Sequence, residues 1–114
     1  NEIMSGITGS VDAVAFQDGH VDFAQLPEFL EINSHLARKH GLHCWTNSET
    51  FDRDMPIKFL PIKWEKLLLK LRAAEKAGVE KAITFEFSHF MSPNSCYCQA
   101  HGLYRRYCEH FGIV

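Results

Sequence analysis

The sequence predicts an α/β fold in which parallel strands alternate with crossover helices. Three times in 114 residues an apolar, strand-like run ends in acidic and amide residues, and an amphipathic helix follows. The runs are residues 11–16 ending at Gln17, Asp18 and Gly19, residues 42–45 ending at Thr46, Asn47, Ser48 and Glu49, and residues 81–85 ending at Glu86, Phe87, Ser88 and His89. Strands spaced by helices in this way pair in parallel. The loops give the third observation. Helix-to-strand turns are short, at Gly41-Leu42 and Gly78-Val79-Glu80, whereas two strand-to-helix loops are long, about 50–61 and 88–98. The elaboration therefore lies on the face that carries the polar strand ends, as in barrel enzymes.

Each element follows from local pattern. Residues 1–10 read as a linker or N-terminal remnant. After the first strand, Asp22 is a plausible N-cap and Pro27 falls near the helix start, where its missing N–H costs nothing. Leu26, Phe29, Leu30, Leu36 and Ala37 give this helix an inward stripe, and Gly41 ends it. In the second helix Trp64, Leu67, Leu68, Leu71 and Ala74 form the stripe, with Lys66, Lys70, Arg72, Glu75 and Lys76 mostly outside it and Gly78 as the stop. The third helix, about 99–111, buries Leu103, Tyr104, Tyr107, Cys108 and Phe111, and Gly112 closes it.

Composition bounds the function. A net charge of −2 gives no basic footprint for nucleic acid or an anionic membrane. With 46% hydrophobic and 23% charged residues the chain is ordinary globular material. No run approaches the roughly 18 apolar residues of a membrane span. The first residues lack the pattern of an export signal, and a start at Asn1 without Met reads as a piece of a longer protein. Cys44, Cys96, Cys98 and Cys108 do not form a secreted disulfide framework, and Cys44 reads as a buried thiol within a strand. Three strands make too small a parallel sheet to stand alone. The remaining strands are expected from an N-terminal part of the same polypeptide or from another copy of this chain.

The chemistry-bearing residues gather at the strand ends, where ligands bind in parallel sheets. Asp18, Glu49 and Glu86 are the candidate catalytic carboxylates. On neighbouring strands they would lie roughly 5–10 Å apart, the range that retaining and inverting glycosidases use. Such chemistry needs one carboxyl protonated and one ionised, and crowding like charges separates their pKa values. Asn47 shares a strand face with Glu49 and fits a sugar hydroxyl; Trp45 points the same way as a stacking platform, and Gln17 and His89 complete the candidate binding set. The plainer alternative is that these acids cap helices or pair with Arg53, Lys58 or Lys63. A second constellation, Cys96, Cys98, His101, Cys108 and His110, matches no standard zinc spacing, so no metal and no cofactor is expected. There is no glycine-rich phosphate loop and no serine or cysteine nucleophile motif.

Three motifs carry a family resemblance. Asp12-Ala13-Val14-Ala15-Phe16-Gln17-Asp18-Gly19, then Trp45-Thr46-Asn47-Ser48-Glu49-Thr50-Phe51, then Ile83-Thr84-Phe85-Glu86-Phe87-Ser88-His89-Phe90-Met91-Ser92-Pro93 resemble, in order and spacing, uncharacterised bacterial glycosidase-like barrel proteins of the DUF4434 type. The resemblance covers about residues 11–112. It implies a partial TIM barrel, with residues 11–114 as about the last three strand-helix units of a (β/α)8 barrel, a carbohydrate substrate, and a periplasmic or secreted location in bacteria. The reading as a glycoside hydrolase stands beside two alternatives: a noncatalytic carbohydrate-binding barrel, and a metal-dependent hydrolase with His and Cys ligands. The paired Asn-Glu and distant Glu of common retaining barrels do not transfer, because here Asn47 and Glu49 are not adjacent and Glu86 is one unit away.

Overall fold

The computed structural model describes residues 1–53, 56 and 59–113. In chain order the elements are α1 (Glu2–Ile7), β1 (Ala13–Gln17), α2 (Leu26–Lys39), β2 (His43–Glu49), β3 (Phe51–Asp52), β4 (Leu60–Pro61), α3 (Trp64–Lys76), β5 (Lys81–Phe85), α4 (Phe87–Phe90) and α5 (Cys98–Phe111). The main sheet has the order β1-β2-β5. β1 and β2 pair in parallel, with Ala13 opposite His43, Ala15 opposite Trp45 and Gln17 opposite Asn47. β5 runs the same way beside β2: Glu80 N donates to Cys44 O at 3.0 Å and, further along, Thr50 N donates to Phe85 O at 2.8 Å. The expected alternation of parallel strands and helices is therefore present. The long loop after β2 holds an antiparallel ribbon, β3 with β4. Among the described residues no helix is long and apolar enough to cross a membrane.

Two compact units make up the chain. The first is Asn1–Ser48 with Lys70–Ile83, the second Glu49–Leu69 with Thr84–Val114. In the first unit, Met4, Ala37, Leu42 and Cys44 form one buried cluster beside Val14, Phe16 and Leu36. Leu26, Leu30, Ala73 and Ala74 form another, so α2 buries its predicted stripe. Burial raises the Cys44 thiol pKa, the expected fate of an apolar strand cysteine. In the second unit, Phe51, Ile62, Trp64, Leu67, Met91, Ala100 and Leu103 are buried. Their rings interlock: Phe51 lies 4.9 Å from Phe90, and Trp64 meets Tyr107 edge-on at 6.4 Å.

Several expectations need correction. Residues 1–10 read from the sequence as a linker or N-terminal remnant without a regular element, yet Glu2–Ile7 are helical and Met4 is buried against the first core. A six-residue helix is too short to announce itself by period, and tertiary packing holds it. Asp22 is not the N-cap of α2. Its carbonyl accepts from Gln25 N and Leu26 N in a preceding turn, and Gln25 takes the cap position with Pro at N1/N2. Phe111 is 50% exposed, because it sits in the last turn of α5 with its ring against Tyr107 and His110. Lys70, placed outside the α3 stripe, is buried. Gly41, Gly78 and Gly112 do stop the helices; at Gly112 the left-handed φ of 64° is one that L side chains adopt at a cost.

The α/β core sets a clear contrast for stability measurements. Leu30 is 2% exposed and Leu69 46% exposed. Leu30→Ala is expected to cost about 2–5 kcal/mol in denaturant unfolding, because a cavity adds to the lost transfer energy. Leu69→Ala should stay within about 0.5 kcal/mol.

Candidate functional site

The strand ends are built by alternation along β2. Cys44, Thr46, Ser48 and Thr50 are buried, whereas His43, Trp45, Asn47 and Glu49 lie on the accessible side. Period two in a strand forces this: a one-residue slip would bury the carboxylate and expose the thiol. Thr46 Oγ1 donates to Phe16 O at 3.3 Å, so this hydroxyl of the buried face is bonded.

In the first unit the ends of β1 and β2 bring Gln17, Asp18 and Asn47 together. Gln17 pairs with Asn47 across the ladder, and Asp18 N donates to Asn47 O at 3.3 Å. The Asn47 Oδ1 atom is buried and has no hydrogen-bond partner among the described residues. A buried amide oxygen without a donor costs free energy, so it marks a place that a ligand hydroxyl or water would fill. Trp45, one step back on the same face, carries Lys81 Nζ 4.7 Å above its ring. Gln17 is exposed. Asp18 differs from its neighbours: its side chain is 1% exposed and its Oδ2 lies 3.2 Å from Lys70 Nζ, whose side chain is 8% exposed. At that distance the contact lies off the hydrogen-bond direction and the attraction is coulombic. Lys70 falls between Leu67 and Ala74 at helical spacing, so its inward position was present in the sequence and concealed by its charge.

In the second unit the ends of β2 and β5 are hydrogen-bonded neighbours, since Thr50 Oγ1 also donates to Glu86 O at 3.1 Å. Glu49 is held by Arg53, whose Nε donates to Oε2 at 2.9 Å and whose Nη2 donates to Oε1 at 2.6 Å. Both carboxylate oxygens are thus engaged by one guanidinium, a fork geometry that fixes the side chain. Arg53 in turn lies over Phe51 and Phe59 at 5.3 and 5.7 Å. Lys63 lines a groove beside α5 rather than pairing with these acids, and Lys58, the third pairing partner considered, lies outside the described residues. Asp52, absent from the sequence-based candidates, is buried and paired with Lys66 at 2.5 Å.

Glu86 is the N-cap of α4. Its Oε2 accepts from Ser88 Oγ at 2.6 Å and Ser88 N at 3.2 Å, and its Oε1 from His89 N at 2.8 Å and His89 Nδ1 at 2.5 Å. These donors, the Ser88 hydroxyl first and then the His89 backbone and ring, outweigh partial desolvation and pull the carboxyl pKa down to about 2. Glu86 is therefore an anion at any physiological pH. The cysteine-rich segment offers no such convergence. Cys96 and Cys98 are exposed, His110 packs on Trp64 at 5.2 Å, and among the described residues no three His, Cys, Asp or Glu side chains group as metal ligands.

Parallel strands alternating with helices, with carboxylates past their C-terminal ends, make this an α/β protein; the C-terminal ends are where ligands generally bind in parallel sheets. The particular family then follows: residues 1–97 match the domain of unknown function DUF4434, and the chain belongs to that family. A solved structure from Bacteroides thetaiotaomicron VPI-5482, provisionally assigned as an alpha-L-fucosidase, superposes with a TM-score of 0.95 at 62% sequence identity. The match covers 99% of this chain and 35% of that one, so this chain spans about a third of that protein's length. No curated protein matches the chain.

Two outcomes test the strand ends. Lys70→Met leaves a buried carboxylate without its ammonium and is expected to cost about 3–5 kcal/mol in denaturant unfolding. Lys70→Met combined with Asp18→Asn should cost less than the sum of the single changes. For Glu86 the folded pKa lies below its ordinary 4.5, so its contribution is full above that value and is lost as pH falls towards about 2. The stability difference between wild type and Glu86→Gln should therefore shrink across that window in acid titrations followed by denaturant.

Proposed function

We propose that this chain is the C-terminal segment of a carbohydrate-active (β/α)8 barrel protein and that the whole protein is a glycoside hydrolase. The observation that carries the proposal is the accessible face of β2. Trp45, Asn47 and Glu49 recur every second residue toward the C-terminal end of the strand, an aromatic platform, an amide with an unfilled acceptor and a carboxylate. Stacking on a sugar face, one directed hydrogen bond and one anion are what glycoside recognition and cleavage require. The likeness to the Bacteroides protein supports an α-L-fucoside as the first substrate to test.

The barrel is supported by an open face. In the first unit Ala15 and Gln17 of β1 are exposed, and Ile83 of β5 is 45% exposed. In the second unit Phe85 of β5 is 51% exposed. Parallel sheets are stable when both faces are covered, so an uncovered face calls for further strands, from the rest of a longer polypeptide or from another copy.

Glu49 is the catalytic carboxylate of this proposal, with Glu86 as its anionic partner on the neighbouring strand. Asp18, buried beside Lys70, takes the third carboxylate position and acts by holding the end of β1 rather than by meeting substrate. Gln17, Trp45 and Asn47 of the first unit are proposed sugar-binding residues, as is His89 of the second unit. No metal or cofactor enters the reading. One observation favours a second reading, a noncatalytic sugar-binding barrel: both Glu49 oxygens are already occupied by Arg53.

Glu49→Gln in the full-length protein separates the two. With p-nitrophenyl α-L-fucoside, and then a broad glycan panel, the hydrolase reading expects turnover to fall about 10²–10⁴-fold while sugar binding persists. Undiminished turnover removes Glu49 from the mechanism. A wild type that binds sugars and cleaves none of the panel is the binder.

A further inference from the structure

We infer that Glu86 works through His89, and that the Nε2 atom of His89 is the proton-accepting and proton-donating group at the end of β5. The inference rests on the reading of the strand ends as a sugar site and goes beyond it, because it moves acid–base chemistry from a carboxylate to an imidazole.

The geometry fixes the tautomer. An ionised carboxylate only accepts hydrogen bonds, so at 2.5 Å from Glu86 Oε1 the Nδ1 atom of His89 carries the proton. In the neutral ring Nε2 then holds the lone pair. His89's side chain is 71% exposed, and Nε2 makes no hydrogen bond among the described residues. Glu86 itself has no such freedom. Four donors occupy its two oxygens, and a carboxyl held near pKa 2 gives up no proton at neutral pH.

The ring is also braced from its backbone. Ser95 Oγ donates to His89 O, Tyr97 N donates to Ser95 Oγ at 3.1 Å, and Ser95 N donates to Ser92 O at 3.0 Å. The next residue, Phe90, stacks on Tyr97 at 5.9 Å with an interplanar angle of 13°. The loop that follows β5 thus holds the His89 backbone through Ser95 and its neighbour Phe90 through Tyr97, while Glu86 holds the ring at Nδ1. When Nε2 takes a proton from a hydroxyl or a water, the O–H bond breaks and an N–H bond forms. The imidazolium charge then lies beside the Glu86 anion, and the return transfer delivers the same proton to a leaving oxygen. Glu86 is here a positioning residue.

A second pair gives the contrast. His43 Nδ1 also meets a carboxylate, Glu80 Oε2 at 2.7 Å, but at the start of β2 and with that carboxylate 47% exposed. It lies at the end of the strand opposite to where parallel sheets bind ligands.

The test uses full-length protein labelled with ¹⁵N-histidine. At pH 8 the long-range ¹⁵N–¹H spectrum is expected to show His89 as the Nδ1–H tautomer. Diethylpyrocarbonate should acylate His89 severalfold faster than the exposed His35 and His101, as read by peptide mass mapping, and Glu86→Gln should remove that advantage. An Nε2–H tautomer in the wild type overturns the inference without need of any variant, and so does a His89 rate equal to that of His35 and His101. Neither readout depends on sugar cleavage, so inactivity toward the fucoside and the whole glycan panel sinks the hydrolase reading alone. If the fucoside is cleaved, His89→Asn keeps a donor toward Glu86 but lacks Nε2, and turnover should fall about 10²-fold or more; undiminished turnover overturns the role.

Discussion

The period-two alternation of β2 is the constraint on which the rest depends. As the middle strand of three, it presents Cys44, Thr46 and Ser48 to the buried side and Trp45, Asn47 and Glu49 to the accessible one. The buried members carry small or hydroxylated side chains that pack or bond without leaving charge in the interior. The accessible members carry an aromatic ring, an amide and a carboxylate. A central strand cannot change register without exchanging these two sets, so the parallel ladder with β1 at once secures the core and the orientation of the polar face.

Charge at the strand ends is compensated locally, and differently at each end. Asp18 meets the ammonium of Lys70, Glu49 the guanidinium of Arg53, Asp52 the ammonium of Lys66, and Glu86 a cluster of neutral and imidazole donors. The differences matter physically. A buried ammonium offsets a desolvation cost and fixes an element in place. A planar fork fixes a side chain's direction. Hydrogen bonding by Ser88 and His89 fixes the ionisation state of Glu86 and passes its influence to a ring that faces outward. Asp18, Glu49 and Glu86, which look equivalent in the sequence, thus differ in what holds them.

The sheet leaves part of its surface uncovered. This chain spans about a third of the Bacteroides protein it resembles. Within the first unit helices cover one side of the strands, while Ala15, Gln17 and Ile83 on the strands remain exposed. A parallel sheet gains little from one covered face, because its apolar residues are divided between both. Residues on that side are the ones a second layer would bury in a parallel sheet.

The sequence by itself determined the alternation of strands and helices, the helix stops at Gly41, Gly78 and Gly112, the family, and the gathering of acids at the strand ends. Hydrophobic period, backbone freedom of glycine and motif order are local properties, and a chain carries them without folding. Only the tertiary structure decided that residues 2–7 are helical, that Lys70 turns inward, and that Glu86 is tied to His89. Residues 18 and 70 are far apart in the chain, and a short helix at residue 2 is stabilised by the core it touches rather than by its own turns. Charge state and partner choice are set by burial and distance, and those exist only once the strands have been brought side by side.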